Sequence, residues 1–175
     1  MITIPSPLHP ALVHFPIVLI LIGTVVAIVA VFVRRWHLPW IAAGLLAFGA
    51  AGAIGAAWSG GGEKELVGEL SATAEQLLDQ HEEWGERTRT LAIVAALLAL
   101  GATTVRRFPA ISRTFSVATA CAALAASYCV ANAGHYGGQL VYKHGAGINT
   151  AAGAVADSAV APAGRAADQR KEADD

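Results

Sequence analysis

Four long stretches of apolar residues, separated by shorter polar segments, dominate the hydrophobic pattern of this chain. They cover residues 11–33, 38–58, 91–105 and 115–133. A helix that crosses a bilayer needs about 20 predominantly apolar residues, within a range of roughly 17–25. Three stretches meet this length, and the third is lengthened if Arg87 and Arg89 extend their charged ends to the membrane surface. The pattern predicts an all-α integral membrane protein, a four-helix bundle with four spans.

The first apolar stretch differs from a secretory signal peptide in three respects. No basic residue precedes it, and it has no small-residue cleavage motif. It is also longer than the roughly 7–15 apolar residues at the centre of a signal peptide. We therefore expect the first stretch to be retained as a membrane span and count it among the four.

The charged residues, 14% of the chain against about 25% in soluble domains, are divided unequally between the connections. The connections after the first and third stretches carry basic residues and no acidic ones. The arginines there are Arg34, Arg35, Arg106, Arg107 and Arg113. All 13 acidic residues lie within residues 59–89 and 149–175. Because basic loops face the cytoplasm, both termini and the connection over residues 59–89 are predicted to be extracytoplasmic.

The connection over residues 59–89 is predicted to contain the beginning of the third helix. After a flexible glycine-rich segment at residues 59–62, Ser71 has the position of a helix N-cap. The positions that follow it at helical spacing are Ala74, Leu77, His81, Trp84, Thr88 and Leu91. Acidic residues occupy the other face of this pattern. We therefore predict an extracytoplasmic extension of the third helix, with His81 on its inward face.

We divide the chain into a membrane domain over residues 1–148 and a tail over residues 149–175. The tail is rich in alanine and carries scattered charges, so it has little apolar surface to bury. We expect the tail to be extracytoplasmic and disordered unless a partner binds it.

The second stretch carries glycines at a spacing that leaves one helix face without side chains. They are Gly44, Gly49, Gly52 and Gly55. Small-residue faces are common where membrane helices pack closely. Close packing is therefore the first interpretation, and the alternative is that the face leaves room for a flat macrocycle.

Five of the six histidines lie in segments assigned to the extracytoplasmic face. They are His9, His14, His81, His135 and His144. At about 1.5 Å of rise per residue, His14 and His135 stand roughly 30 and 33 Å from the arginines at the other face. His9 and His81 each stand roughly 37 Å from those arginines. The histidines thus fall on two neighbouring levels, and imidazole so close to lipid is by default a functional feature.

A metal or haem site is the interpretation that this grouping favours. A single interfacial histidine often only anchors a helix, and His37, beside two arginines, fits that description. On the fourth helix, Tyr128, Asn132 and His135 form a polar stripe that we expect to face protein rather than lipid. Imidazole suits iron, copper and zinc, and helix bundles commonly bind cofactors between facing helices. One haem with two axial histidines is expected; two haems, or a copper or zinc ion, are the alternatives.

The segments HPALVHFPI and GGQLVYKHGAGI, near the two ends of the membrane domain, resemble a bacterial membrane family known as domain of unknown function 2231. That family has the pattern HPxxVHFPI, then four spans, then GGxLVYxHGxGV, and the likeness covers about residues 7–148. The positions that match the two motifs are His9, Pro10, His14, Phe15, Pro16, Gly137, Gly138, Leu140, Val141, Tyr142, His144 and Gly145. His81 falls where many members have a histidine, and His135 matches a subset of members.

The resemblance implies respiratory electron transfer, because related domains occur joined to cytochrome c or Rieske modules. We therefore expect a haem b electron-transfer subunit of the bacterial inner membrane rather than an enzyme on its own. Its partners would be an extracytoplasmic c-type cytochrome or membrane-bound dehydrogenase, and another haem or the quinone pool. The residues expected to bind the haem are His14, His81, His135 and His144 as ligands, His9 as a supporting or substitute ligand, and Tyr128 and Asn132 beside them.

Two other functions are alternatives to haem binding. The chain could be a non-catalytic membrane scaffold that anchors an extracytoplasmic redox enzyme, or it could bind copper or zinc. No motif for binding nucleic acid occurs in the sequence. The colour of the purified protein separates haem binding from the scaffold function, since a haem protein absorbs strongly in the visible range and a scaffold does not.

Overall fold

Four α-helices make up the part of the chain that the computed structural model describes, which is residues 8–33, 35, 37–63 and 70–146. They are α1 (His9–Phe32), α2 (Leu38–Glu63), α3 (Ala72–Thr104) and α4 (Pro109–His144). The predicted all-α bundle is confirmed. The tail over residues 149–175, for which we predicted disorder, lies outside the described residues.

Helices that follow each other in the chain pack together, and α4 also packs against α1, so the bundle is closed. The α3/α4 interface is the largest of the four and the α1/α4 interface is the smallest. Ile20 and Leu46 are the largest side chains that are fully buried. Most of the remaining core is alanine. Small side chains allow membrane helices to approach closely, and here they form the interior itself.

The predicted close approach through glycine is found between α1 and α2. A Cβ atom at Gly49 would lie 3.0 Å from Cγ1 and 3.3 Å from the backbone nitrogen of Ile20. By contrast, a Cβ atom at Gly44 or Gly55 would meet nothing within 4 Å. The glycine face of α2 is therefore divided, with one part in the helix interface and the other on an open surface.

Three of the described helices, α1, α2 and α4, are long and apolar enough to cross a membrane. The first half of α3 is charged, and α3 is not among these three, so its crossing stays a prediction. With 33 and 36 residues, α3 and α4 are about 50 and 54 Å long, which exceeds a hydrocarbon core of about 30 Å. The predicted N-cap of α3 is confirmed, because Ser71 Oγ accepts a hydrogen bond from the Ala74 N–H at 3.3 Å.

Two exposed tryptophans of α2 lie close to one membrane thickness apart. Trp40 and Trp58 are exposed, and the helix between them spans about 27 Å. Tryptophan concentrates at membrane surfaces, and this span is close to the thickness of a bilayer core, about 30 Å. The two side chains are therefore consistent with the two surfaces of a membrane.

Two glycine-rich segments form helix although glycine favours loops and turns. Residues 59–62, predicted to be flexible, belong to the last turns of α2, and Gly137 and Gly138 lie inside α4. Glycine is a weak helix former. A glycine-rich segment therefore suggests the end of a helix when only the sequence is considered. His144 is the last residue of the continuous helix α4, so its position is fixed by that helix and not by a turn.

Replacing Gly49 with valine is expected to destabilise the bundle, because the new side chain would meet the backbone of α1 as well as a side chain. Overpacking of this kind costs about 1–3 kcal/mol. The matched control is Gly44→Val on the open face of the same helix. Reversible unfolding in mixed micelles should show a clear loss of stability for Gly49→Val and a much smaller one for the control. Equal losses would contradict the packing described.

Candidate functional site

Two histidines from helices that are not neighbours in the bundle meet at one end of it. His9 is the first residue of α1, and His81 lies in the first half of α3. Their ring centres are 6.1 Å apart and their planes are at 86°, and both side chains are half-buried. Helix rise had placed these two residues on one level, and the ring contact agrees with that prediction. We call this the histidine pair.

His9 connects α1 to the end of α2 through its Nδ1 atom. Nδ1 lies 2.9 Å from the Ala56 carbonyl oxygen and 3.2 Å from Ser59 Oγ. The Ser59 hydroxyl itself donates to the Ala56 carbonyl at 3.0 Å, so Nδ1–H is the donor to both oxygens. The imidazole fits here because residue 60 is glycine, and a Cβ atom at that position would lie 3.0 Å from His9 Cε1.

His81 connects α3 to α4 in the same manner. Its Nδ1–H donates to the Ala133 carbonyl oxygen at 2.9 Å. A Cβ atom at Gly137 would lie 3.0 Å from both Cε1 and Nδ1 of this ring, so glycine is again the residue that makes space for an imidazole. The histidine pair therefore joins all four helices, since His9 binds α2, His81 binds α4, and the two rings touch.

These hydrogen bonds determine which nitrogen of each ring can bind a ligand. A neutral imidazole with its proton on Nδ1 has its lone pair on Nε2. Metal-ligating histidines are commonly held in one tautomer by such a bond to a backbone carbonyl. Nε2 of His81 makes no hydrogen bond within the described residues. His81 therefore has the hydrogen bonding of a prepared ligand, and His9 donates from the same ring nitrogen.

The spacing of the histidine pair suits one metal ion between the two rings. Metal–imidazole bonds of about 2 Å, with about 1 Å more from each nitrogen to its ring centre, place the centres of two opposed rings about 6 Å apart. The observed distance is 6.1 Å. No cluster of three or more His, Cys, Asp or Glu side chains suited to a metal occurs among the described residues. Zinc takes three or four protein ligands, whereas two imidazoles complete the axial set of a haem.

The other histidines predicted as ligands lie apart from the histidine pair. His14 is exposed, and its Nδ1 lies 2.7 Å from the Pro10 carbonyl oxygen. His135 is exposed on α4, where its Nε2 accepts a hydrogen bond of 2.8 Å from the side-chain amide of Gln139. His144 is exposed at the end of α4. The five histidines thus share one end of the bundle without converging on one point.

The polar stripe of α4, which we expect to face protein rather than lipid, lies on the outside of the bundle, where Tyr128 and His135 are exposed. Tyr128 is 64% exposed and contacts the edge of Trp84 at 5.7 Å between ring centres. The Arg87 guanidinium lies over the Trp84 ring, 4.7 Å from the ring centre. Asn132 donates a hydrogen bond to the Tyr128 carbonyl. These contacts lie on the outside of the bundle rather than in its core.

Reading the sequence missed the residues that support the histidine pair. Ser59 and Gly60 were assigned to a flexible segment, although a serine at the end of an apolar helix is a candidate partner for an imidazole. Gly137 was part of a recognised motif, but its contact with His81 could not be read from spacing alone. The main acceptors are the backbone carbonyls of Ala56 and Ala133, and backbone atoms leave no signal in a sequence.

One protein family has a model that matches this chain, over residues 5–150, and it is described as predicted membrane protein (DUF2231). The matched range includes the four helices and all the histidines discussed above. Comparison with curated proteins and comparison with solved structures each gave no match.

The tautomers of the histidine pair can be measured by nitrogen NMR of labelled imidazoles. His9 and His81 are expected to carry their proton on Nδ1 when neutral, because each donates from that atom to a carbonyl. Gly137→Leu should push His81 off the Ala133 carbonyl and change its signal. Gly85→Leu, at a glycine with open space around it, should leave it unchanged. A proton on Nε2 of His81 in the unmodified protein would refute the assignment.

Proposed function

The chain belongs to the family of predicted membrane proteins described as DUF2231, and from this premise we propose that it is a haem b electron-transfer subunit. It would pass electrons between an extracytoplasmic redox protein, such as a c-type cytochrome or a membrane-bound dehydrogenase, and another haem or the quinone pool. The observation that carries the proposal is the histidine pair. Two imidazoles from different helices, with the spacing and tautomers of ligands, are a complete axial set for haem iron.

The residues around the histidine pair have separable roles in this proposal. His9 and His81 would hold the haem iron, and the carbonyls of Ala56 and Ala133 keep each ring in one tautomer. Haem bound there supplies one-electron iron chemistry, and the protein adjusts its potential through the axial ligands and their hydrogen bonds. Gly60 and Gly137 set the position of the two rings.

The space around the histidine pair favours a cofactor at the end of the bundle rather than inside it. The cavity within the alanine core measures about 10 Å³, which is room for about one water molecule. A depression of about 570 Å³, open to the surface, lies at the end of α2, and it is lined by Leu8, Trp58 and Ser59 rather than by the histidine pair itself. That volume is within the range of cofactor sites, roughly 300–1,000 Å³. Ser59 lines this depression and also contacts His9.

The charges at the two ends of the bundle support an extracytoplasmic site. Four exposed arginines lie at the end opposite the histidine pair, and within the described residues they form no ion pair. They are Arg35, Arg106, Arg107 and Arg113. Toward the histidine end, Arg87 and Arg89 are paired with Glu83 and Glu86. By the positive-inside rule, the arginine end faces the cytoplasm of a bacterial inner membrane and the histidine pair faces outward.

Substitution of the histidine pair is expected to alter the visible spectrum of the purified protein. His9→Ala and His81→Ala should each lose the reduced haem band or shift it, because each removes an axial ligand. His81→Met should retain haem with a shifted spectrum and a raised potential, since methionine is a weaker axial ligand that favours reduced iron. His37→Ala, at the arginine end, is the control and should match the unmodified protein.

Reduced-minus-oxidised spectra of these variants, with haem content measured against protein, test the assignment. Colourless unmodified protein, isolated under conditions that preserve haem, would exclude haem binding and leave the scaffold function. Unchanged spectra in both alanine variants would remove the histidine pair from the site. The methionine variant guards against misfolding, because a misfolded protein would show no haem rather than a shifted band.

The orientation is tested with reporters that are active on only one side of the inner membrane. An alkaline phosphatase fused after residue 175 is expected to be active, because the C-terminus is proposed to be extracytoplasmic. A green fluorescent protein at the same position should be dark when exported by the same route. The control is an insertion of each reporter between Arg106 and Arg107, where the two signals should reverse. Strong fluorescence from the C-terminal fusion would contradict the orientation.

A further inference from the structure

A polar contact near the middle of the bundle shows where α1 and α4 touch. Thr24 Oγ1 lies 2.9 Å from Ser127 Oγ and 3.1 Å from the Ala123 carbonyl oxygen. We call this contact the α1/α4 seam. Because the two helices are antiparallel and connected here, residues of either helix can be located by their distance along the chain from the seam.

His14 and His135 lie at the same level beyond this seam. His14 precedes Thr24 by ten residues, and His135 follows Ser127 by eight. At 1.5 Å per residue these separations are about 15 and 12 Å. Both displacements run toward the histidine end, since α1 begins there and α4 ends there. The two histidines thus stand within about 3 Å of each other in height.

The two histidines also lie on the same side of the seam. At 100° per residue, ten residues back along α1 and eight residues on along α4 each amount to a turn of about 80° from the seam contact. Because the helices are antiparallel, these turns lead to the same side of the plane that contains both helix axes. Both His14 and His135 are exposed, so this is the outer side of the bundle.

The seam opens between the two histidines. Gly134 and Gly138 lie within about 20° of the Ser127 direction around α4, so they face α1. A Cβ atom on either glycine would nevertheless meet nothing within 4 Å. The smallest of the four helix interfaces is that of α1 and α4. These observations describe a groove, flanked by two imidazoles, whose α4 wall has no side chains; we call it the α1/α4 groove.

Each flanking imidazole has the hydrogen bonding of a ligand. The Nδ1–H of His14 donates to the Pro10 carbonyl, which leaves the lone pair on Nε2. His135 Nε2 accepts from the amide of Gln139, and Gln139 is itself held by Lys143 at 2.9 Å. The lone pair of His135 is thus already directed at a partner that a metal could replace. Glycine walls suit a flat ring, and the outward side of the groove suits its apolar edge.

We propose that the α1/α4 groove binds a second haem, with His14 and His135 as its axial ligands. This inference rests on the proposed function and extends it from one haem per chain to two. The groove and the histidine pair lie on opposite faces of α4, because His135 is two residues, or about 160° around the helix, from both Ala133 and Gly137. One helix diameter, about 10 Å, separates the sites, and the groove opens toward the lipid in which quinones dissolve.

Filling the groove tests the proposal without altering any histidine. The haem-to-protein ratio, measured by a pyridine haemochrome assay on the full chain in detergent, should be two. The double variant Gly134→Leu, Gly138→Leu should lower it to one, and His14→Ala should do the same. The matched control is Gly55→Leu on α2, at a glycine that also has open space around it, and it should retain two haems.

The outcomes separate the second site from the proposed function. A ratio of one that neither the groove variants nor His14→Ala change would overturn the second site and leave the histidine pair as the only one. A ratio of zero in the unmodified protein would overturn both. If the ratio falls to one, the remaining spectrum should be the one that His81→Ala removes. A remaining spectrum insensitive to His81→Ala would contradict the division into two sites.

Discussion

The bundle depends on the contact between His9 and His81 and on the two carbonyls to which these rings donate. Most other interhelical contacts are made by alanine, which contributes little specific shape. In lipid there is no hydrophobic force between helices, so packing and interhelical hydrogen bonds decide how they associate. Such a bond contributes about 1 kcal/mol. The histidine pair includes two, and it is the place where all four helices are joined by named polar contacts.

The same contact explains the glycines that interrupt otherwise regular helices. Glycine weakens a helix by about 1 kcal/mol relative to alanine, yet Gly60 and Gly137 lie inside α2 and α4. Each is the residue against which an imidazole rests. The requirement for space at the histidine pair therefore outweighs local helix preference. The open glycines of the α1/α4 groove have no such neighbour, and a second haem in that groove is the explanation we propose for them.

The sequence predicted position along the helices better than direction around them. The four helices, the Ser71 cap and the common level of His9 and His81 followed from apolar length, capping preference and helix rise. The outward direction of Tyr128 and the exposure of His14 did not, because α1 and α4 are apolar on nearly every side within the membrane. A helix without a polar face gives no signal for its inward side. The helical ends of α2 and α4 were missed because glycine suggested loops.

The four unpaired arginines make the energy of the inserted bundle depend on the membrane potential. Toward the histidine end, Arg87 and Arg89 are neutralised by acids on the same helix, whereas the four arginines at the other end are not. An elementary charge that crosses a membrane potential of 100 mV changes energy by about 2.3 kcal/mol. Turning the bundle over in an energised, inside-negative membrane would therefore cost on the order of 9 kcal/mol. A membrane potential that is negative on the arginine side would therefore oppose reversal of the bundle.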